Sequence, residues 1–196
     1  MGWLMRFAVL NAVLLLLVSG NAHAQEDSGS SRGTSALRQP GGLFDTSSTE
    51  RGPTLSFFGI LPWWYGFGAG AGARYTLPIV KDGFISNLND SVELEFGGDF
   101  WFANYGALGA DYGYTGLAIP AEGRWTFHIT PKFSAYGKVA LGYAFHFWSD
   151  DVGDDFDTGH VYWDATSGVL YQLSDSMWLR GEVGYAGLKA GIGLKF

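Results

Sequence analysis

The sequence predicts an all-β fold: a transmembrane, antiparallel, up-and-down β-barrel of eight strands, following a cleaved export signal. Three observations predict it. From Thr54 onward, apolar and polar residues alternate in segment after segment, and a strand sends successive side chains to opposite faces. Aromatic residues and glycine are abundant (Trp 8, Tyr 10, Phe 15, Gly 30), yet no long apolar run follows the N-terminus. That combination fits strands that are each apolar on one face only. Finally, the polar parity of the strands carries six acids and six bases, although the whole chain has a formal charge of −7.

The opening "MGWLMRFAVLNAVLLLLVSGNAHAQ" has the parts of a secretory signal peptide. Arg6 is the positive n-region, Phe7 to Val18 the apolar core, and Ala22-His23-Ala24 an A-x-A cleavage site, so residues 1–24 are expected to be removed. The apolar run is short for a membrane-spanning helix of ~20 residues. The absence of cysteine excludes disulfides, thiol chemistry and a lipoprotein anchor. Residues 25–53 are dominated by Ser, Gly, Thr, Arg and Pro, the composition of a disordered linker or tail, with a short lumen plug as the alternative.

The barrel is expected over 54–196. Thr54 to Leu61 is the first and weakest strand. In Tyr65 to Leu77, Phe67, Ala69, Ala71, Ala73, Tyr75 and Leu77 oppose Gly66, Gly68, Gly70, Gly72, Arg74 and Thr76. Ser91 to Asn104 sets Val92, Leu94, Phe96, Phe100 and Phe102 against Glu93, Glu95, Asp99 and Trp101. Leu117 to His128 sets Leu117, Ile119, Ala121, Trp125 and Phe127 against Glu122, Arg124, Thr126 and His128. In Ser134 to Phe147, Ala135, Val139, Leu141, Tyr143, Phe145 and Phe147 oppose Tyr136, Lys138 and His146. In Val161 to Leu173, Val161, Trp163, Ala165, Val169, Tyr171 and Leu173 oppose Tyr162, Asp164, Thr166 and Gln172. Leu179, Val183 and Tyr185 then oppose Arg180 and Glu182. The parity slips near Ala186–Gly187, a tight hairpin or bulge, before the last strand sets Leu188, Ala190, Ile192, Leu194 and Phe196 against Lys189 and Lys195. Short connections (Ile129–Lys132, Leu173–Ser176) alternate with long ones (Tyr105–Tyr114, Trp148–His160), as periplasmic turns alternate with outer loops. Pro78 to Asp90 is long for an inner turn, and the last hairpin is short for an outer loop.

A soluble, lipocalin-like barrel would bury the apolar parity instead. Two features favour lipid on that side. Arg74, Arg124, Lys138, Arg180, Lys189 and Lys195 balance Glu93, Glu95, Asp99, Glu122, Asp164 and Glu182, as a narrow interior requires, because buried charges need partners. With the strands run up and down, Trp63, Trp64, Phe100, Phe102, Tyr143, Phe145, Phe147 and Trp163 fall toward one rim. Tyr75, Trp125, Phe127, Phe133, Tyr171 and Phe196 fall toward the other, with aliphatic residues between, which is the layout of two interfacial girdles.

With its signal sequence, its dyad strands from Tyr65 and its terminal "KAGIGLKF", the chain over 54–196 resembles the small eight-stranded outer-membrane barrels of Gram-negative bacteria, the OmpA/OmpX type. The resemblance implies an outer-membrane location, contact with membrane lipid and lipopolysaccharide, and insertion by the barrel-assembly machinery. Ala190, Ile192, Leu194 and Phe196 match the positions of that family's assembly signal. It also implies a structural or surface-interaction role, with a small or gated pore and a lipid-modifying enzyme as alternatives. No peptidoglycan-binding domain of the OmpA kind is expected after the barrel.

The chemistry-bearing candidates are few, and neither an enzyme nor a cofactor is expected. Asp150, Asp151, Asp154, Asp155 and Asp157 make an acidic loop. It has only a fragment of a calcium-loop pattern, with no closing Glu, so a solvated loop is expected, or divalent bridging to lipopolysaccharide phosphates. His146, Ser149 and His160 lie near the outer rim without spacing that defines a nucleophile and base. Gly66, Gly68, Gly70 and Gly72 are expected to make room for Trp101, Tyr136 and Arg124 in a filled lumen. The acidic balance argues against a nucleic-acid partner, and a monomer is expected.

Overall fold

Alternation of this kind leaves two unsatisfied edges unless the sheet closes, and here it closes. The computed structural model describes residues 35–47, 51–63, 67–105, 112–148 and 159–196. Its strands are β1 (Thr54–Pro62), β2 (Phe67–Val80), β3 (Asp90–Tyr105), β4 (Tyr112–Thr130), β5 (Phe133–Trp148), β6 (Gly159–Ser174), β7 (Met177–Gly184) and β8 (Gly187–Lys195). Each pairs antiparallel with the next, and β1 pairs with β8 from Thr54↔Lys195 to Pro62↔Gly187, giving a closed eight-stranded barrel. The signal sequence, the acidic loop, Ser149, Trp64 and Tyr65 lie outside the described residues.

The two parities of each strand separate as the alternation requires. The outward face is apolar and open: Ile119, Val139, Leu141 and Val161 are 57–66 % exposed. The aromatics occupy its two ends. Phe100 stacks edge-on to Phe102, Tyr143 to Phe145, and Trp163 lies flat on Tyr185 at one end. At the other, Tyr75 stacks on Phe196 and Trp125 on Phe127. Aliphatic middle and aromatic ends are the surface that transmembrane barrels present.

The wall is uneven. β4 has 19 residues, whereas β7 has 8 and β1 and β8 have 9 each. At about 3.3 Å per residue the tall side is roughly twice the height of the low side. The last hairpin turns on Tyr185–Ala186 alone, which is the parity slip seen in the sequence. Pro120 stands inside β4. There the β3–β4 ladder skips from Phe96↔Ala121 to Asp99↔Ala118, since proline offers no N–H to the neighbouring strand.

One end carries the turns Pro131–Lys132 and Asp175–Ser176 and the longer connection 81–89. That connection is organised around the buried Asp90, whose carboxylate accepts from the Phe84 N–H (3.1 Å) and the Trp125 indole N–H (2.7 Å). Composition alone makes 25–53 read as a disordered tail, but its described parts sit against this end of the barrel. The Leu43 N–H donates to the Ile129 carbonyl (3.2 Å), and the Asn89 N–H donates to the Leu43 carbonyl (2.8 Å). The Asn89 side-chain amide donates to the Gly42 carbonyl (3.2 Å). A polar segment is held by main-chain hydrogen bonds, which leave no mark in its composition.

Candidate functional site: the charged lumen

Inward parity on consecutive strands brings side chains two residues off register within reach of one another. Arg74 stands opposite Gly97, and Asp99 opposite Gly72. The Arg74 guanidinium therefore reaches diagonally and binds both Asp99 oxygens, Nη1 to Oδ1 at 2.7 Å and Nη2 to Oδ2 at 2.8 Å. Nη2 also donates to Glu122 (2.9 Å), whose other oxygen accepts from Lys138 Nζ at 2.6 Å. Lys138 lies 2.9 Å from Glu182 as well. Arg74 is fully buried, and two backbone carbonyls, of Ala73 and Gly98, accept further hydrogen bonds from it.

Glu95 is the second centre and is also fully buried. It accepts from Arg124 Nη1 (2.6 Å), from Arg180 Nη1 and Nη2 (3.0 and 2.5 Å), and from the Thr76 hydroxyl (2.9 Å). Arg124 Nε holds Glu93 at 3.2 Å, where the Thr126 and Ser91 hydroxyls also donate. Arg180 returns to Glu182 on its own strand, and the Tyr136 hydroxyl donates to the same carboxylate (2.7 Å). Lys189 closes the ring on Asp99 at 2.8 Å. Charge-assisted and bidentate contacts are the strong class of hydrogen bond, and each carboxylate here has several.

Nine of the ten lumen charges singled out in the sequence thus meet in one network: Arg74, Glu93, Glu95, Asp99, Glu122, Arg124, Lys138, Arg180 and Glu182. Lys189, noted only as part of the polar parity, joins them. Asp164 does a different job. Its carboxylate accepts from the Tyr185 and Ala186 N–H groups (2.8 and 3.3 Å) and so holds the β7–β8 turn. Lys195 is exposed at the rim, because β8 ends there.

Sequence reasoning missed Phe58. Its ring lies among the cations, with Arg74 at 5.3 Å, Lys189 at 5.4 Å and Arg180 at 5.7 Å from its centroid. Tyr136 serves Arg124 and Arg180 in the same way, at 5.1 and 5.6 Å. Such contacts strengthen when the cation is desolvated. The signal for Phe58 was in the register, since it pairs with Gly72 on one side and Gly191 on the other. A Cβ at either glycine would collide with Phe58. The glycine run has the expected role toward Trp101 but not toward Tyr136 and Arg124. Gly72 makes room for Phe58 and Asp99, Gly70 abuts Trp101, and the space for Tyr136 comes from Gly168. Toward the opposite end from the turns, Trp101, Tyr114 and Tyr162 fill the interior, with His146 edge-on to Trp101 and Tyr114 and stacked on His160 at 4.7 Å.

The assembly-signal positions lie on β8 and just after it. Ala190, Ile192 and Leu194 point outward, and Phe196 is strongly exposed beside Tyr75.

No protein-family model and no curated protein matches the sequence. Among solved structures the chain is similar to a designed transmembrane β-barrel, with 15 % identity, TM-score 0.45, and coverage of 76 % of this chain and 99 % of that one. It is similar to Ail, the attachment invasion locus protein of Yersinia pestis, in complex with the heparin analogue sucrose octasulfate (12 %, TM-score 0.45, 74 % and 97 %). Ail without that ligand gives 14 %, TM-score 0.41, and the same coverage.

Proposed function

We propose that this chain is an outer-membrane β-barrel with a charge-filled, plugged lumen, in a structural or surface-interaction role. The inversion of polarity carries the reading. The aliphatic belt faces outward while arginine, lysine and carboxylates are buried inside, the reverse of a water-soluble barrel. Membrane lipid and lipopolysaccharide are its surroundings, the barrel-assembly machinery inserts it with β8 and Phe196 as the recognised end, and it acts as a monomer.

Refolding into phosphatidylcholine vesicles tests the reading. A heat-modifiable, protease-resistant barrel whose tryptophan fluorescence is quenched by brominated lipid is the expected result. A species that stays soluble without lipid or detergent would overturn it.

A pore is the competing reading. An eight-stranded barrel is only wide enough for its side chains to fill. The Arg74–Asp99 and Arg180–Glu95 pairs cross this one together with Phe58 and Tyr136. Planar bilayers are therefore expected to show no steady conductance steps. A lipid-modifying role would need reactive groups at the outer rim. His146 packs there among aromatic rings, which supports a packing role. Unchanged lipid A mass spectra in a deletion strain are expected.

A further inference from the structure

Below the ion-pair network, at the end that carries the turns, lies a cavity of about 300 Å3. That is the lower end of the range of about 300–1,000 Å3 typical of small-molecule sites. Its lining is unlike the rest of the chain. Four cationic side chains, Arg51, Arg124, Lys132 and Lys195, face it against two carboxylates, Glu93 and Asp175, in a chain of net charge −7.

The carboxylates are not equal. Glu93 is already bound by Arg124 and by the Thr126 and Ser91 hydroxyls, so that acid and that base cancel. Among the remaining lining charges, Arg51, Lys132 and Lys195 stand against Asp175, and Arg51 also interacts with the carboxylates of Glu93, Asp82 and Asp90. The three cations converge from different elements: Lys132 from the β4–β5 turn, Lys195 from the end of β8, and Arg51 from the segment before β1. Arg51 is fixed in place, with Nη1 donating to the Asp90 carbonyl (3.3 Å) and Nη2 to the Asn89 side chain. Lys132 and Lys195 are exposed, and long stems let their ammonium groups swing over the opening. The half-buried Trp178 ring supplies one apolar wall. Cations around a concave, low-dielectric opening focus a positive potential into it and concentrate anions there.

We propose that this cavity binds a small oxyanion, a phosphate- or carboxylate-bearing molecule about the size of a monosaccharide, clamped between Lys132 and Lys195 with Arg51 behind it. Such a group could be free in solution or be the headgroup of an anionic lipid. The site does not depend on the membrane reading, because the cavity belongs to the folded barrel in detergent as well as in lipid.

The test is NMR on the folded full-length mature chain in phosphatidylcholine nanodiscs, following the amides of Lys132, Gln172 and Lys195 and the Trp178 indole. Inorganic phosphate and glucuronate are titrated separately, and a third sample uses discs containing phosphatidylglycerol with no added solute. Saturable shifts confined to these signals are expected with at least one probe. The variant Lys132→Gln with Lys195→Gln should bind about tenfold more weakly, one decade in Kd, while Lys132→Arg with Lys195→Arg should retain binding. Shifts with phosphatidylglycerol that glucuronate or phosphate reverses would assign the site to lipid headgroups. Shifts that rise linearly without saturation in every arm, or that are unchanged in the glutamine variant, would overturn the proposal. All variants alter exposed side chains, and heat-modifiability on gels verifies that each is folded.

Discussion

Arg124 illustrates how a single residue is decided by register. Inward parity put Arg124 on one face with Glu93, Glu95, Asp99 and Glu122, and the register selects Glu93 and Glu95, across the β3–β4 ladder, as its partners. Glu122 instead serves Arg74 and Lys138. Removing one partner from a buried ionic cluster costs about 3–5 kcal/mol, because the other charge is left desolvated. Arg124→Ala is therefore expected to lose about that much in urea unfolding from lipid, and Arg124→Ala with Glu95→Gln to recover part of it. A loss below about 1 kcal/mol, the ceiling for an exposed pair, would mean that this parity faces water. A second residue-scale prediction lies outside the barrel wall. The Ser47 hydroxyl and the Gly41 and Ser47 N–H groups hold the Asp45 carboxyl below its ordinary 3.8. Its contribution to order in 41–47 is thus present above that pH and is lost as pH falls through the lower folded value. The Gly41 amide shift should titrate below 3.8 and stop titrating in Asp45→Asn.

At the scale of the strand, parity predicts opposite consequences for the same substitution. Leu141 lies on the outward face of β5, 64 % exposed, midway between the aromatic ends. Leu141→Arg should destabilise the barrel in lipid by about 2–4 kcal/mol, the cost of a cation near the bilayer midplane. In a soluble barrel the same exposed position would tolerate it within about 0.5 kcal/mol. Equilibrium unfolding of the two lipid-refolded proteins measures the difference. The final element carries its own prediction. Phe196 packs on Tyr75 at the rim, 6.2 Å between ring centroids, and Phe196→Ala should reduce the amount of heat-modifiable barrel reaching the membrane while synthesis is unchanged. Equal amounts of inserted mutant and wild type would remove any assembly role for this side chain. The strands were legible because period-2 alternation survives in each. The docking of residues 35–47 was not, because it rests on the backbone of Leu43 and on Asn89, and main-chain hydrogen bonding is independent of side-chain identity.

For the whole molecule, closure turns eight half-apolar strands into an object with an inside and an outside. The sequence by itself determined the strand count, the two faces of each strand and, Lys195 apart, the charges that share the interior. All three follow from local alternation, which a sheet with one apolar and one polar face must express. Only the tertiary structure decided who pairs with whom. Pairing depends on the offset between neighbouring strands, set by ladder hydrogen bonds along the full length of each. It sends Arg124 to Glu95, leaves Asp164 to hold a turn, and seats Phe58 between two glycines among three cations. The cavity at the turn end was equally hidden, since its lining comes from segments as far apart as Arg51 and Lys195, which share a rim only because β1 closes on β8.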